Sequence, residues 1–157
     1  MKKVICAILA FCMMCSFAGC ADFFGSTLFL LFAAANDDRT NKETIVAFVC
    51  EQEEELLQAI EDRDFSAFEH KGFIKDVSVD QAVVEFSCGG MGIGSATSYV
   101  GFYYTPDNDM SAVWCAPSSS DLLTPSGNGF AWQEPNGDKL FYAEKICENF
   151  FYYEASF

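Results

Sequence analysis

The chain has 157 residues, 51% of them hydrophobic and 16% aromatic, with 23 acidic residues against nine basic ones and a formal net charge of −14. The apolar and aromatic content argues against a disordered chain, and the length suits one folded domain. The acid excess argues against a nucleic-acid partner, whose phosphates demand Lys and Arg, and against docking on anionic lipid through a basic patch.

Lys2 and Lys3 open the chain, and Val4 to Phe17 is then apolar apart from Ser16. Small residues follow, Ala18 and Gly19, and then Cys20. This order of positive, apolar and small is that of an export signal. The apolar stretch is shorter than the about 20 residues that a helix needs to cross a hydrocarbon core. Phe17-Ala18-Gly19-Cys20 resembles the lipobox of bacterial lipoproteins: Ala18, Gly19 and Cys20 match, and Phe17 departs from the usual Leu. The resemblance implies that Cys20 is acylated and that the signal is cut just before it. The mature chain would then sit on the cell membrane, lipid-anchored at its extracytoplasmic face. Cleavage would remove two lysines and no acid.

A second uncharged run, Phe23 to Ala35, survives such a cut. It is too short to span alone and suits a buried helix or one lying at the lipid interface. Without cleavage the two runs form one long apolar stretch around Asp22, whose charge costs about 2.5–3.5 kcal/mol at a helix centre. The expected organisation is a lipoprotein signal peptide at 1–19, a membrane-proximal apolar segment and linker at 20–42, and a domain at 43–157.

Thr40-Asn41-Lys42-Glu43 fits a capping box, with Thr40 as the cap and Glu43 reaching back. Ile45, Phe48, Val49, Leu56 and Ile60 share one helical face, and Glu51, Glu54, Glu55, Glu61 and Asp62 fall mostly on the other. One amphipathic helix is expected from about 41 to 62. The period then changes to two. Strands are expected at Phe73–Val79, Ala82–Cys88, Thr97–Tyr104, Ser111–Cys115, Phe130–Glu134, Leu140–Ile146 and Phe150–Glu154, with Asn136-Gly137 as a two-residue hairpin signal. The fold class is α+β: an antiparallel meander sheet with one N-terminal amphipathic helix packed on it. From Phe86 to Phe157 the stretches FSCGGMGIGSATSYVGFYYTPDND, AVWCAPSS and FFYYEASF are similar to small uncharacterised lipoproteins of Gram-positive gut bacteria. That likeness implies an address in the cell envelope and a fold, and it brings no catalytic residues.

Gly89, Gly90, Gly92, Gly94 and Ser95 form a candidate ligand loop that would hold a ligand through backbone N–H groups. A dinucleotide or P-loop reading fails, because a strand pattern follows the glycines and no Gly-Lys-Ser/Thr is present. A wide hairpin loop with positive φ angles is the better account. His70 is the only histidine. A hydrolase would need it beside Ser95 or Cys88, and Ser95 lacks the Gly-x-Ser-x-Gly elbow. One histidine and no Cys-x-x-Cys pair give no metal site, and no cofactor is expected.

Cys50, Cys88, Cys115 and Cys147 remain beyond the signal. In a simple meander the Thr97–Tyr104 strand separates Cys88 from Cys115 by about 9.5 Å, beyond the ~7 Å that a disulfide bridges, so free or buried thiols are expected. Glu51, Glu53, Glu54 and Glu55 read as a solvated face, and Asp107-Asn108-Asp109 as a turn rather than a calcium loop. Phe102, Tyr103, Tyr104, Trp114, Trp132, Tyr142, Tyr152 and Tyr153 are mostly packing residues. A sheet covered on one face only would still expose some of them as a stacking platform for glycans or peptides. The expected function is that of a membrane-anchored lipoprotein serving as a non-enzymatic binding or interaction module, with a protein or glycan partner. The alternatives are an inhibitor or immunity-type protein with an acidic mimic surface, and a small hydrolase using His70.

Overall fold

In the computed structural model, which describes residues 41–93 and 96–157, the chain opens on a helix capped by Asn41. The expected signal peptide, Cys20 and the apolar run Phe23–Ala35 lie outside the described residues. Asn41 takes an extended backbone (φ −72°, ψ 153°) and its side chain accepts Thr44 N–H at 2.8 Å. The cap is therefore Asn41 and not Thr40; Asn is as strong a cap as any residue. Helix α1 is Lys42–Glu51. The expected single helix breaks at Gln52 (φ −113°, ψ 19°), and α2 is Glu53–Asp62. The break puts Glu53, Glu54 and Glu55 in a first turn, where the helix dipole favours negative charge. In one continuous helix Glu51 would instead face Glu54 and Glu55 as like charges one turn apart.

Seven antiparallel strands follow: β1 Asp76–Asp80, β2 Val83–Ile93, β3 Ala96–Tyr104, β4 Thr124–Ser126, β5 Gly129–Gln133, β6 Leu140–Cys147 and β7 Phe150–Ser156. The α+β class and the number of strands agree with expectation. The order does not follow a simple meander: it is β1-β2-β3-β7-β6-β5-β4. Two meanders are joined side by side where β7 pairs with β3, from Ser98↔Ser156 to Tyr104↔Phe150.

The segment 105–123 carries the chain from β3 to the far edge of the sheet. Ser111–Cys115, expected as a strand, lies in this crossing. Asp109 accepts both the N–H and the hydroxyl of Ser111 at 2.8 Å, and Tyr103 donates its hydroxyl to Met110 O at 2.5 Å. These bonds turn the chain out of extended geometry. Val113 and Cys115 are still buried, so the alternation was real, but it packs a loop onto the sheet instead of building a ladder. The β5–β6 turn is also wider than two residues. Glu134 N–H reaches Lys139 O at 2.9 Å, and Pro135, lacking an N–H, cannot extend the ladder.

Alternation along the strands builds two cores. Val84, Phe86, Cys88, Phe102, Phe150 and Tyr152 meet Ile45, Val49, Leu56 and Ala59 of the helices, together with Phe68 and Ile74. Tyr103, Phe141, Ala143, Phe151, Tyr153 and Ala155 meet Val113 and Cys115 of the crossing segment on the other face. The sheet is thus covered on both faces, not one. Strand β7 is buried on both, which is why Phe150-Phe151-Tyr152-Tyr153 shows no apolar–polar alternation.

Gly101 sits in β3 beneath a ring. A Cβ there would collide with the Phe86 carbonyl and lie 2.9 Å from Tyr153 Cε1. Gly72, by contrast, has φ +63° and open space around it. Gly101→Ala is expected to cost about 3 kcal/mol by overpacking against rigid backbone. Gly72→Ala should cost only about 1 kcal/mol through left-handed strain. Urea midpoints of the two variants check the order, which a larger loss at Gly72 would reverse.

Candidate functional site

The glycine-rich stretch is strand rather than wide loop. Gly89, Gly90 and Gly92 lie in β2, opposite Val100, Tyr99 and Thr97. Gly94 and Ser95 lie outside the described residues. Cys88 is the extra residue of a bulge, since Ser87 pairs with Gly101 and Gly89 with Val100. Gly90 is closely approached by backbone: a Cβ there would lie 3.1 Å from Ser98 O, with the Tyr99 ring at an ordinary contact distance of 3.5 Å.

That ring belongs to an exposed aromatic group at one end of the sheet. Phe157 is fixed there by reciprocal main-chain bonds with Thr97, both 2.9 Å, which prolong the β3–β7 ladder. Trp114, held between the buried Val113 and Cys115, stacks on Phe157 at 5.5 Å and 16°. Tyr99 meets Trp114 edge-on at 5.3 Å and Phe157 at 5.9 Å. Lys139 Nζ stands 5.6 Å from the Phe157 ring centre. Trp114 is 57% exposed, more than any other large hydrophobic residue among those described. An exposed indole backed by two rings offers a flat apolar surface with one N–H donor.

Of the aromatic residues singled out from the sequence, Phe102, Tyr103, Tyr152 and Tyr153 are core, and Tyr104, Trp132 and Tyr142 are half-buried. Most of them are thus packing residues, as expected, and the crossing segment covers the second face on which some would otherwise have been exposed. Tyr99 and Phe157, which do build the exposed group with Trp114, escaped sequence reasoning. Their only signal is a shared face, and that face is fixed by the β3–β7 register.

A polar cluster occupies the helix side. Lys42 Nζ pairs with the Glu144 carboxylate, lies 3.5 Å from Tyr142 Oη and stands 5.3 and 5.8 Å from the Tyr142 and Tyr152 ring centres. Tyr142 donates to Glu144 Oε2 at 2.5 Å, and Tyr152 to Glu154 Oε1 at 2.6 Å. Tyr153 donates to Glu85 on the opposite face. Burial opposes the charged form of Glu144, but the bonds from Lys42 and Tyr142 and the Lys42 charge outweigh it and lower its pKa. Burial likewise opposes the Lys42 charge, and the same partners outweigh it and raise its pKa. The groups satisfy one another, so the cluster ties α1 to β6.

The thiols are free. Cys88 is fully buried on the helix face, donates to Phe86 O at 3.5 Å, and has its pKa pushed up by burial. Cys115 lies on the other face, pushed up to about 12 by burial and by the Glu85 charge. The sheet itself separates Cys88 from Cys115. Cys147 is pushed up to about 12 by burial and by Glu53, whose carboxylate also bonds it. Among the described cysteines only Cys50 is exposed. His70 stands exposed on a turn at φ 56°. It is not assembled with the buried Cys88 into a nucleophile–base pair, and a thiol held protonated is a poor nucleophile. Glu51, Glu54 and Glu55 are solvated, while Glu53 turns toward Cys147. Asp107–Asp109 forms a turn, with Asn108 at φ 55°.

Among the described residues no group of three or more His, Cys, Asp or Glu is placed to hold a metal, and no helix is long and apolar enough to cross a membrane. No protein-family model matches the chain, and neither a curated protein nor a solved structure does.

Two measurements follow from these environments. The pair is charged on both sides above the ordinary Glu value of 4.5 and below the ordinary Lys value of 10.5. Its stabilisation fades as pH falls through the lowered Glu144 pKa, and again as pH rises through the raised Lys42 pKa. Solvent screens this part-exposed pair, so Glu144→Gln should lose about 0.5 kcal/mol at neutral pH. Denaturation curves taken down the acid limb should converge with wild type; a constant difference would show that the charge is not the cause. For the thiols, Cys50→Ser should remove the fast-reacting sulfhydryl of the 41–157 segment in a native disulfide-exchange assay. Cys88 and Cys115 should react only on unfolding.

Proposed function

We propose that the chain is a lipid-anchored protein of the cell envelope, and that its α+β domain is a non-enzymatic extracytoplasmic interaction module. The observation that carries this is Lys2-Lys3, the apolar run Val4–Phe17 and the lipobox-like Ala18-Gly19-Cys20 in that order. Cys20 is the lipidation site, and the membrane is the partner that the anchor supplies. The exposed Trp114–Phe157–Tyr99 group supports an interaction role for the domain, since a ring left in water on an otherwise well-filled fold marks a contact surface. The partner of the module is a protein, a glycan or the lipid surface itself.

Cells producing the full chain and fed radiolabelled palmitate should yield a labelled protein of the cut size. Cys20→Ala should take up no label and keep its signal peptide. Label that survives the substitution overturns the assignment.

A further inference from the structure

We infer that the aromatic end of the sheet, formed by Trp114, Phe157 and Leu140, rests on the surface of the bilayer that holds the anchor. This rests on the lipid-anchor reading above. The first reason is where the described chain begins. Lys42 is bound to Glu144 and lies against Tyr142 and Tyr152. Tyr142 and Leu140 are two residues apart on one face of β6, about 7 Å along the strand. Helix α1 then runs the other way: Cys147, at the opposite end of β6, packs against the helix-side core, and Glu53, just past the far end of α1, is near enough to raise the pKa of its thiol. Helix α1 therefore begins nearer the Leu140 end of β6 and runs toward its Cys147 end.

The second reason is what that side exposes. Leu140 pairs with Ser156, and Ser156 with Ser98, so Leu140, Phe157 and Tyr99 mark the same end of three adjacent strands. Leu140 is 36% and Trp114 57% exposed, one on each face of the sheet at this end. The third reason is reach. Between the apolar run Phe23–Ala35 and Asn41 lie only the polar residues 36–40, which extend at most about 18 Å. A chain held at Cys20 keeps this end near lipid at a high effective concentration, so a weak contact suffices.

The chemistry of this end suits the water–lipid boundary. Trp and Tyr concentrate there because one part of each ring system is apolar and another donates a hydrogen bond. Lys139 can lay its stem along Phe157 and leave its charge in water. Its charge is offset by Glu134 at 4.0 Å and by the adjacent Asp138, so the end is not a cationic patch. Contact should therefore depend little on salt or on anionic lipid.

The test uses the full lipidated chain in phosphatidylcholine vesicles, with and without phosphatidylcholine brominated near the headgroup. The chain has two tryptophans, Trp114 and Trp132. The wild type should lose emission in the brominated vesicles, and Trp114→Phe should lose several-fold less, since its remaining Trp132 is half-buried opposite Phe141; Trp114 is mostly exposed, and a urea midpoint confirms that the variant is folded. Equal emission in both vesicles, with palmitate present on Cys20, overturns the docking and leaves the anchor standing. No palmitate on the wild type overturns the anchor and the docking with it. Quenching that is undiminished in Trp114→Phe belongs to Trp132 and overturns the contact through Trp114. Trp114 emission that shifts only with soluble glycan fragments gives this end to a glycan and overturns the lipid contact.

Discussion

The pairing of the last strand with the third is the constraint on which the rest of the fold depends. Strand β7 enters between β3 and β6 and locks two separate meanders into one sheet. Phe150, Phe151, Tyr152 and Tyr153 are each at most 2% exposed, so this short run supplies large rings to both cores at once. Burial of such rings is the dominant favourable term available to a domain of this size. The seam joins residues far apart in sequence, and the loop-closure entropy has to be met before the contacts form. Neither half of the sheet buries its faces without the other.

Placing tyrosines in that centre creates a second constraint, because each hydroxyl needs a partner. The sheet answers it with carboxylates: Tyr153 reaches Glu85, Tyr152 reaches Glu154 and Tyr142 reaches Glu144. Several acids of this very acidic chain are thereby acceptors for core tyrosines, and are not merely surface charge. Glu144 goes further by fixing Lys42, so a tyrosine's need for an acceptor also sets where the first helix docks. One glycine obeys the same rings. Gly101 lies under Tyr153, where a side chain would collide with both the Phe86 carbonyl and the ring.

Local chemistry made much of this legible in the sequence. The helical face of Ile45, Val49 and Leu56, the strand of Phe150–Glu154 and the turn at Asp107–Asp109 all follow from spacing and turn residues. Asn41 is the cap because its extended backbone lets its side chain accept Thr44 N–H, and the residue types alone do not choose between two adjacent candidates. Ser111–Cys115 misled because alternation reports burial on one side, and a loop lying on a sheet alternates as a strand does. The strand order was hidden because no local pattern encodes a partner some fifty residues away. The aromatic group was half visible: Trp114 stands out by type, whereas Tyr99 and Phe157 acquire meaning only once β3 and β7 are in register.

Coverage of both faces leaves a sheet of this kind little to offer a partner except its ends and its edges. One edge strand, β1, carries Asp76 and Asp80, and the other, β4, is three residues long and holds Pro125. Short, charged or proline-bearing edges resist pairing with another chain. The end near Asn149 is closed by Thr105 N–H bonding Asn149 O at 3.0 Å, with Thr105 itself buried. The opposite end carries the stacked Trp114 and Phe157, the exposed Leu140 and, close by, the residue through which α1 is tied to the sheet. Topology thus brings the start of α1 toward the end of the sheet that carries its most exposed ring, Trp114, although the two are far apart in sequence. A fold that fills both of its faces with aromatic residues still leaves the Trp114 indole in water at that end.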